Sequence, residues 1–153
     1  MERYTKLDEN FYALDLYYGK TNLTPNRNFQ CFFIVEHPCS EDFIREQALA
    51  LLMSQCKNFD FYGNYSKQWD IGFDMVDIQL HPNNDDTDVA LTSQWDCIDD
   101  FVDALEIAIS TRYFVPCDIY LIYDDENAYR EVLGKLRFNR DEDRHTKSKE
   151  TYT

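Results

Sequence analysis

The run Phe29-Gln30-Cys31-Phe32-Phe33-Ile34-Val35 is almost continuously apolar, rich in aromatic and β-branched side chains, and stops at Glu36-His37-Pro38. Such a run reads as a strand buried on both faces, as in a parallel sheet. Ser40 then suits a helix N-cap, with Glu41 and Asp42 in the first turn where the helix dipole favours anions. Ile44, Ala48, Leu51, Leu52 and Gln55 recur at helical spacing, which predicts a helix from Ser40 to about Cys56. Phe59 to Tyr62 is a short aromatic strand that ends at Gly63. From Trp69 to Leu80 two periods compete: Trp69, Phe73, Val76 and Leu80 suit a helix, whereas Ile71, Phe73 and Met75 suit a strand. A short helix over 66–76, then extended chain through Leu80, is the expectation, with Pro82 to Asp88 a loop by composition.

Val89 to Trp95 is a further strand, and the helix from about Cys97 to Arg112 is the clearest element in the chain. Ile98, Phe101, Val102, Leu105, Ala108 and Ile109 make one apolar stripe, with Asp96, Asp99, Asp100, Asp103 and Glu106 opposite. After Pro116, Ile119 to Tyr123 is a buried strand, and Asp124-Asp125 can cap a last helix that turns Tyr129, Val132, Leu133 and Leu136 inward. Within the first 28 residues Phe11, Leu14, Leu16, Tyr17 and Tyr18 fit neither period, so an edge strand or short helix is expected near 11–18. Strands alternating with helices imply right-handed crossovers. The expected fold is therefore α/β: a mostly parallel sheet of about four strands with helices on both faces, a three-layer sandwich. It occupies 1–138 as one domain, with 139–153 a charged, flexible tail.

Composition changes this picture in one respect. Over 153 residues, 29 acids against 15 bases give a net charge of −14, yet 44% apolar and 16% aromatic content is too much for a disordered acidic chain. The charge must sit on a folded body, where it repels phosphate backbones and anionic headgroups and attracts basic partners. No direct nucleic-acid or membrane binding is expected. Met1-Glu2-Arg3-Tyr4 opens no basic stretch followed by an apolar run, and nothing approaches the roughly 18 apolar residues of a membrane span. A cytoplasmic location is expected. Five cysteines, Cys31, Cys39, Cys56, Cys97 and Cys117, lack paired spacing and adjoin apolar segments, which predicts buried free thiols.

Ligands of parallel sheets gather outside the carboxyl ends of the strands, which here carry Glu36-His37, Trp95-Asp96 and Asp124-Asp125. Glu36, Asp124 and Asp125 offer oxygen ligands of the kind Mg²⁺ takes, which would suit phosphoryl transfer. Phe33-Ile34-Val35-Glu36 resembles the glutamate-bearing strand of Toprim-type phosphoryl-transfer domains over those four residues. Beyond them the patterns part: Tyr123-Asp124-Asp125-Glu126 has adjacent acids in place of an Asp-x-Asp pair, and His37 stands where a glycine is expected. A Cys39–His37 nucleophile is not expected, because Pro38 holds the intervening chain extended. Gly19, Gly63, Gly72 and Gly134 are isolated, so no phosphate cradle and no cofactor are implied.

The distribution of acids is more informative. Residues 58–111 carry twelve acids and one base, whereas seven bases face five acids in 130–153. Trp69 precedes Asp70 and Trp95 precedes Asp96, so two indoles adjoin acids near element ends. An aromatic anchor ringed by carboxylates suits a basic protein surface. The expected contact set is Trp69, Asp70, Asp74, Asp77, Asp85, Asp86, Asp88, Trp95, Asp96, Asp99, Asp100, Asp103 and Glu106. The order Phe32-Phe33-Ile34-Val35-Glu36, helix 40–56, Gln68-Trp69-Asp70 and Ala90-Leu91-Thr92-Ser93-Gln94-Trp95 resembles small uncharacterised bacterial α/β domains. In make-up the chain is similar to immunity proteins of bacterial contact-dependent growth inhibition and related toxin systems. That resemblance implies a non-enzymatic inhibitor of a basic toxin or nuclease domain. The other functions considered are the Mg²⁺-dependent enzyme and an acidic anti-defence protein that mimics DNA.

Overall fold

The computed structural model describes residues 4–17, 28–54, 56, 58–82, 90–111 and 117–136. Within these residues ten elements follow one another: β1 (Tyr4–Asp8), β2 (Phe11–Asp15), β3 (Phe29–Ile34), α1 (Glu41–Met53), β4 (Asn58–Tyr62), α2 (Ser66–Leu80), β5 (Leu91–Trp95), α3 (Ile98–Thr111), β6 (Asp118–Tyr123) and α4 (Glu126–Lys135). The strands form one six-stranded sheet in the order β1-β2-β6-β3-β4-β5. Among the described residues only the β1–β2 pair is antiparallel; β2–β6, β6–β3, β3–β4 and β4–β5 are parallel. The protein is thus α/β with a mostly parallel sheet.

Alternate residues of the same strands feed two separate cores. Leu14, Phe29, Cys31, Phe33, Phe59, Phe61, Tyr120 and Ile122 pack with Ile44, Ala48 and Leu51 of α1 and with Trp69, Phe73 and Val76 of α2. Phe11, Ala13, Phe32, Ile34, Ile119 and Leu121 pack with Phe101, Val102, Leu105 and Ile109 of α3 and with Tyr129 and Val132 of α4. The period of two along each strand decides which core a side chain joins.

Six strands, not four, is the first correction. The additional pair lies in the first 17 residues: β2 is the strand alternative expected near 11–18, inside the sheet and not at its edge, and β1 joins it through a hairpin turn that places Asn10 at φ 59°, a left-handed conformation that Asn tolerates. The segment hid its period because β2 is covered on both sides: Phe11 and Ala13 enter one core and Leu14 the other, while Tyr12 stacks on Tyr120 at 5.5 Å. A strand apolar on both faces shows no alternation.

The second correction concerns α2, which stays helical through Leu80. Helical Trp69, Phe73 and Val76 are buried, and the strand-spaced Ile71 and Met75 are exposed instead. Asp77 supports the added turn, since its carboxylate accepts a hydrogen bond from the backbone N–H of Ala90 at 3.0 Å and meets His81 Nδ1 at 3.1 Å. The contact joins the end of the helix to the entry of β5. Cys97 departs from the expected burial of the thiols: it is exposed, and Cys39 is partly so, while Cys31, Cys56 and Cys117 are buried. Gln55, Val89 and the expected tail 139–153 lie outside the described residues.

Candidate functional site

The five parallel strands all deliver their carboxyl ends to one edge of the sheet. Chain order reverses between β3 and β6, because β3 continues to β4 and β5 on one side while β6 borders β2 on the other. A crevice at such a switch point is where open α/β sheets present groups to ligands. Glu36 and His37 follow β3 there, and Asp124 and Asp125 follow β6.

These four residues hold one another. The Asp124 carboxylate accepts hydrogen bonds from the backbone N–H of Glu36 at 2.8 Å and of His37 at 2.9 Å, one on each oxygen. Asp125 caps α4 by accepting from the Ala128 N–H at 2.9 Å, and its other oxygen lies 2.9 Å from His37 Nε2. Burial pushes the Asp124 carboxyl up, against the pull of the two N–H donors. Glu36 is raised by burial and by the neighbouring Asp124 and Asp125. His37 is raised chiefly by its hydrogen bond to Asp125, and Asp125 is lowered by the Ala128 N–H and then by His37. Among the described residues no three His, Cys, Asp or Glu side chains gather in an arrangement that could hold a metal ion. The donor set expected for Mg²⁺, Glu36, Asp124 and Asp125, is engaged: both Asp124 oxygens face backbone N–H groups, and Asp125 is a helix cap.

A pH dependence of stability follows from these groups together with Asp60 and Asp74, both raised by burial against one hydrogen bond each, from Trp95 and Thr92. A carboxyl whose folded pKa is raised binds its proton more tightly in the folded state, so its cost at neutral pH is relieved as pH falls through the folded value. His37, raised, contributes stability that is complete below its unfolded pKa of about 6.5 and is lost as pH rises through its folded value. Asp125, lowered, opposes only below about pH 4. Thermal unfolding should therefore occur at a higher Tm near pH 5 than near pH 8, where about 1 kcal/mol shifts Tm by about 2–4 °C at this chain length. Calorimetry giving an equal or higher Tm near pH 8 would contradict this.

The acids expected to contact a partner are distributed unevenly. Trp69 is fully buried, against Phe33, Phe61 and Phe73 at ring-centroid distances of 5.3, 6.4 and 6.1 Å, so it cannot serve as a surface anchor. Its place on the inward stripe of α2, facing Phe33 and Phe61 of the sheet and Phe43 of α1, puts it there. The Trp69 indole N–H makes no hydrogen bond of ordinary geometry, and burial pushes the nearby Cys39 thiol up, with the indole N–H only partly offsetting it. Asp77 is buried and engaged with Ala90 and His81, Asp74 accepts from Thr92 Oγ1 at 2.7 Å, and one Asp70 oxygen is buried. Asp85, Asp86 and Asp88 lie outside the described residues.

Beyond β5 the situation differs. Trp95 is half-buried and its indole N–H donates to Asp60 at 2.8 Å. Gln94 Nε2 donates to Ser66 Oγ at 2.9 Å and to Asp96 at 2.6 Å. Asp96, Asp99, Asp100 and Asp103 are exposed and Glu106 is half-exposed, with Lys135 reaching Asp99 at 3.1 Å. Because α2 and α3 pack into different cores, the acidic run 58–111 is divided between them. Asp60 and Gln94 were not anticipated from sequence; the available signal was a lone acid alternating with aromatics in Asn58-Phe59-Asp60-Phe61-Tyr62. Also unanticipated is a groove of about 660 Å³ between α1 and α2, lined in part by Ile44, Arg45, Lys67, Ile71 and Met75.

The chain matches no known protein family, and neither a curated protein nor a solved structure shows significant similarity to it. No described helix is long and apolar enough to cross a membrane.

Proposed function

We propose that the protein is a cytoplasmic binding module of the immunity type that neutralises a basic toxin or nuclease domain by covering it. The observation that carries the proposal is the acidic face of α3: Asp99, Asp100 and Asp103 are exposed along a helix whose opposite stripe is core, and Asp96 adjoins half-buried Trp95 just before it. A row of carboxylates beside one indole held in place by Asp60 offers an aromatic anchor with an anionic rim. The proposed surface is narrower than 69–106, because Trp69 and Asp77 are internal. The proposal takes the domain as a three-layer sandwich, supported by the two cores that alternate strand residues build. Buried Asp77 is engaged within the fold, and exposed Asp74 is held by Thr92, which leaves fewer acids for a DNA-like phosphate track, while the engagement of Asp124 and Asp125 leaves fewer ligands for Mg²⁺.

Affinity capture from the source cell tests the proposal when run in parallel with the wild type and an Asp99→Lys, Asp100→Lys, Asp103→Lys variant. The wild type is expected to retain one basic protein in stoichiometric amount, with association that slows steeply as salt rises. The variant should associate about tenfold or more slowly and lose most of that salt dependence while keeping the wild-type Tm within a few degrees. A partner bound equally well by both proteins would remove the α3 face from the site.

A further inference from the structure

Two buried thiols meet on the side of the sheet that α1 and α2 cover, and nothing in the proposed partner surface uses them. Cys31 in β3 and Cys56 between α1 and β4 are 0% and 1% exposed, with sulfur atoms 3.8 Å apart. The Cys56 thiol also lies 3.4 Å from the Phe29 carbonyl and 3.5 Å from that of Asn58, so its contacts hold it against the starts of β3 and β4. A disulfide needs sulfurs at about 2.05 Å, which leaves roughly 1.8 Å of approach between two side chains already facing each other. The remaining cysteines are differently placed. Cys117 accepts from Gln30 Nε2 at 3.6 Å and points its thiol to the Asp118 carbonyl at 3.4 Å, Cys39 is partly exposed and Cys97 is exposed.

We propose that Cys31 and Cys56 are a latent dithiol that a peroxide-class oxidant closes to an intramolecular disulfide, tying β3 to the segment between α1 and β4. One thiolate attacks the peroxide: the O–O bond breaks, one oxygen joins sulfur as a sulfenic acid, and the other leaves as water after taking a proton. The second thiol then attacks the sulfenic sulfur, the S–S bond forms, and the sulfenic oxygen leaves as a second water. Two electrons pass from the thiol pair to one peroxide, so no further reductant or oxidant enters. Burial, together with the adjacent Cys56 sulfur, pushes the Cys31 thiol well up, so thiolate is scarce at neutral pH and the closure is slow there. Its rate rises with pH, whereas exposed Cys97 reacts earlier.

Treatment of the folded protein with excess hydrogen peroxide at about pH 7 and about pH 9, followed by alkylation in denaturant and peptide mass mapping, tests this. A Cys39→Ser, Cys97→Ser variant is run beside the wild type to remove exchange through the accessible thiols. The expected product is a Cys31–Cys56 linked peptide lighter by two hydrogens, forming several-fold faster at the higher pH, in both proteins. The oxidised protein should unfold at higher urea concentration than the reduced one, and Cys56→Ser should abolish that gain while Cys117→Ala keeps it. Recovery of both Cys31 and Cys56 as alkylated thiols after Cys97 has been oxidised would overturn the proposal. A Cys31–Cys117 link would overturn it equally. Should Cys56→Ser fail to fold, the peptide map of the wild type decides alone.

Discussion

Replacing Trp69 by alanine is expected to cost about 3–5 kcal/mol of folding stability, the range for deleting a large aromatic side chain from a close-packed core. The indole contacts Phe33, Phe61 and Phe73 and meets Phe43 edge-on at a centroid distance of 6.2 Å, so its removal opens a cavity that four rings border. Against a total of about 5–15 kcal/mol for a domain, such a loss leaves a marginal fold. Trp95→Ala provides the contrast. Its ring is half-buried at the end of the edge strand β5 and its loss frees the Asp60 carboxylate, which should cost about 1–2 kcal/mol. Urea unfolding of the two variants separates the tryptophans by role: equal destabilisation would show that Trp95 is as much a core residue as Trp69. The comparison bears on function, because only Trp95 is positioned to reach a partner.

Gly63→Ala is expected to destabilise the fold by about 3 kcal/mol or more. Gly63 ends β4 with φ 121°, outside the conformations that L side chains readily adopt. A Cβ added there would lie 2.4 Å from the Val35 carbonyl oxygen and 2.8 Å from its carbon. The obstacle is backbone, and that backbone is tied on both sides: Val35 N–H donates to the Tyr62 carbonyl at 2.8 Å and the Val35 carbonyl accepts from Tyr65 N–H at 3.0 Å. Relief would have to move the end of β3. Glu36 is next in the chain and its Oε1 lies 3.0 Å from the added Cβ, so the disturbance should reach the switch-point residues. The check is a lower urea midpoint at unchanged m-value, with a shifted His37 imidazole signal in NMR. A midpoint within experimental error of the wild type would sink this account of the turn.

Much of the fold was legible in the sequence because most of its elements are amphipathic or wholly apolar in a regular way. The α3 stripe Phe101, Val102, Leu105, Ala108 and Ile109 enters the core as its spacing predicts, and the apolar run from Phe29 is a central strand flanked by β6 and β4. Ser40 caps α1 by accepting the Phe43 N–H at 3.1 Å, and Asp125 caps α4. Two segments resisted. The hairpin β1–β2 lacks a period because both faces of β2 are covered, and α2 carries apolar residues on two sides, so that Ile71 and Met75, 52% and 56% exposed, imitate the alternation of a strand.

The candidate site was less legible than the fold. Charge was readable as a count along the chain, and Asp99, Asp100 and Asp103 opposite the α3 stripe are exposed as their spacing required. Whether an acid is available to a partner depends on what else reaches it. Asp77 looks like any other acid of the run until Ala90 and His81 are brought to it, and Asp124 and Asp125 resemble a pair of metal ligands until the backbone of Glu36 and His37 reaches Asp124 and the His37 ring and the Ala128 N–H reach Asp125.

By itself, then, the sequence determined the alternation of strands and helices, the excess of negative charge and the face on which α3 carries it. These follow from local period and composition, which a linear chain already contains. Only the tertiary structure decided the order of strands, the burial of Trp69, the meeting of Cys31 with Cys56 and the division of the acids between α2 and α3. Each of these depends on pairing between segments distant along the chain, and the energy of a side chain is set by which of those segments finally covers it.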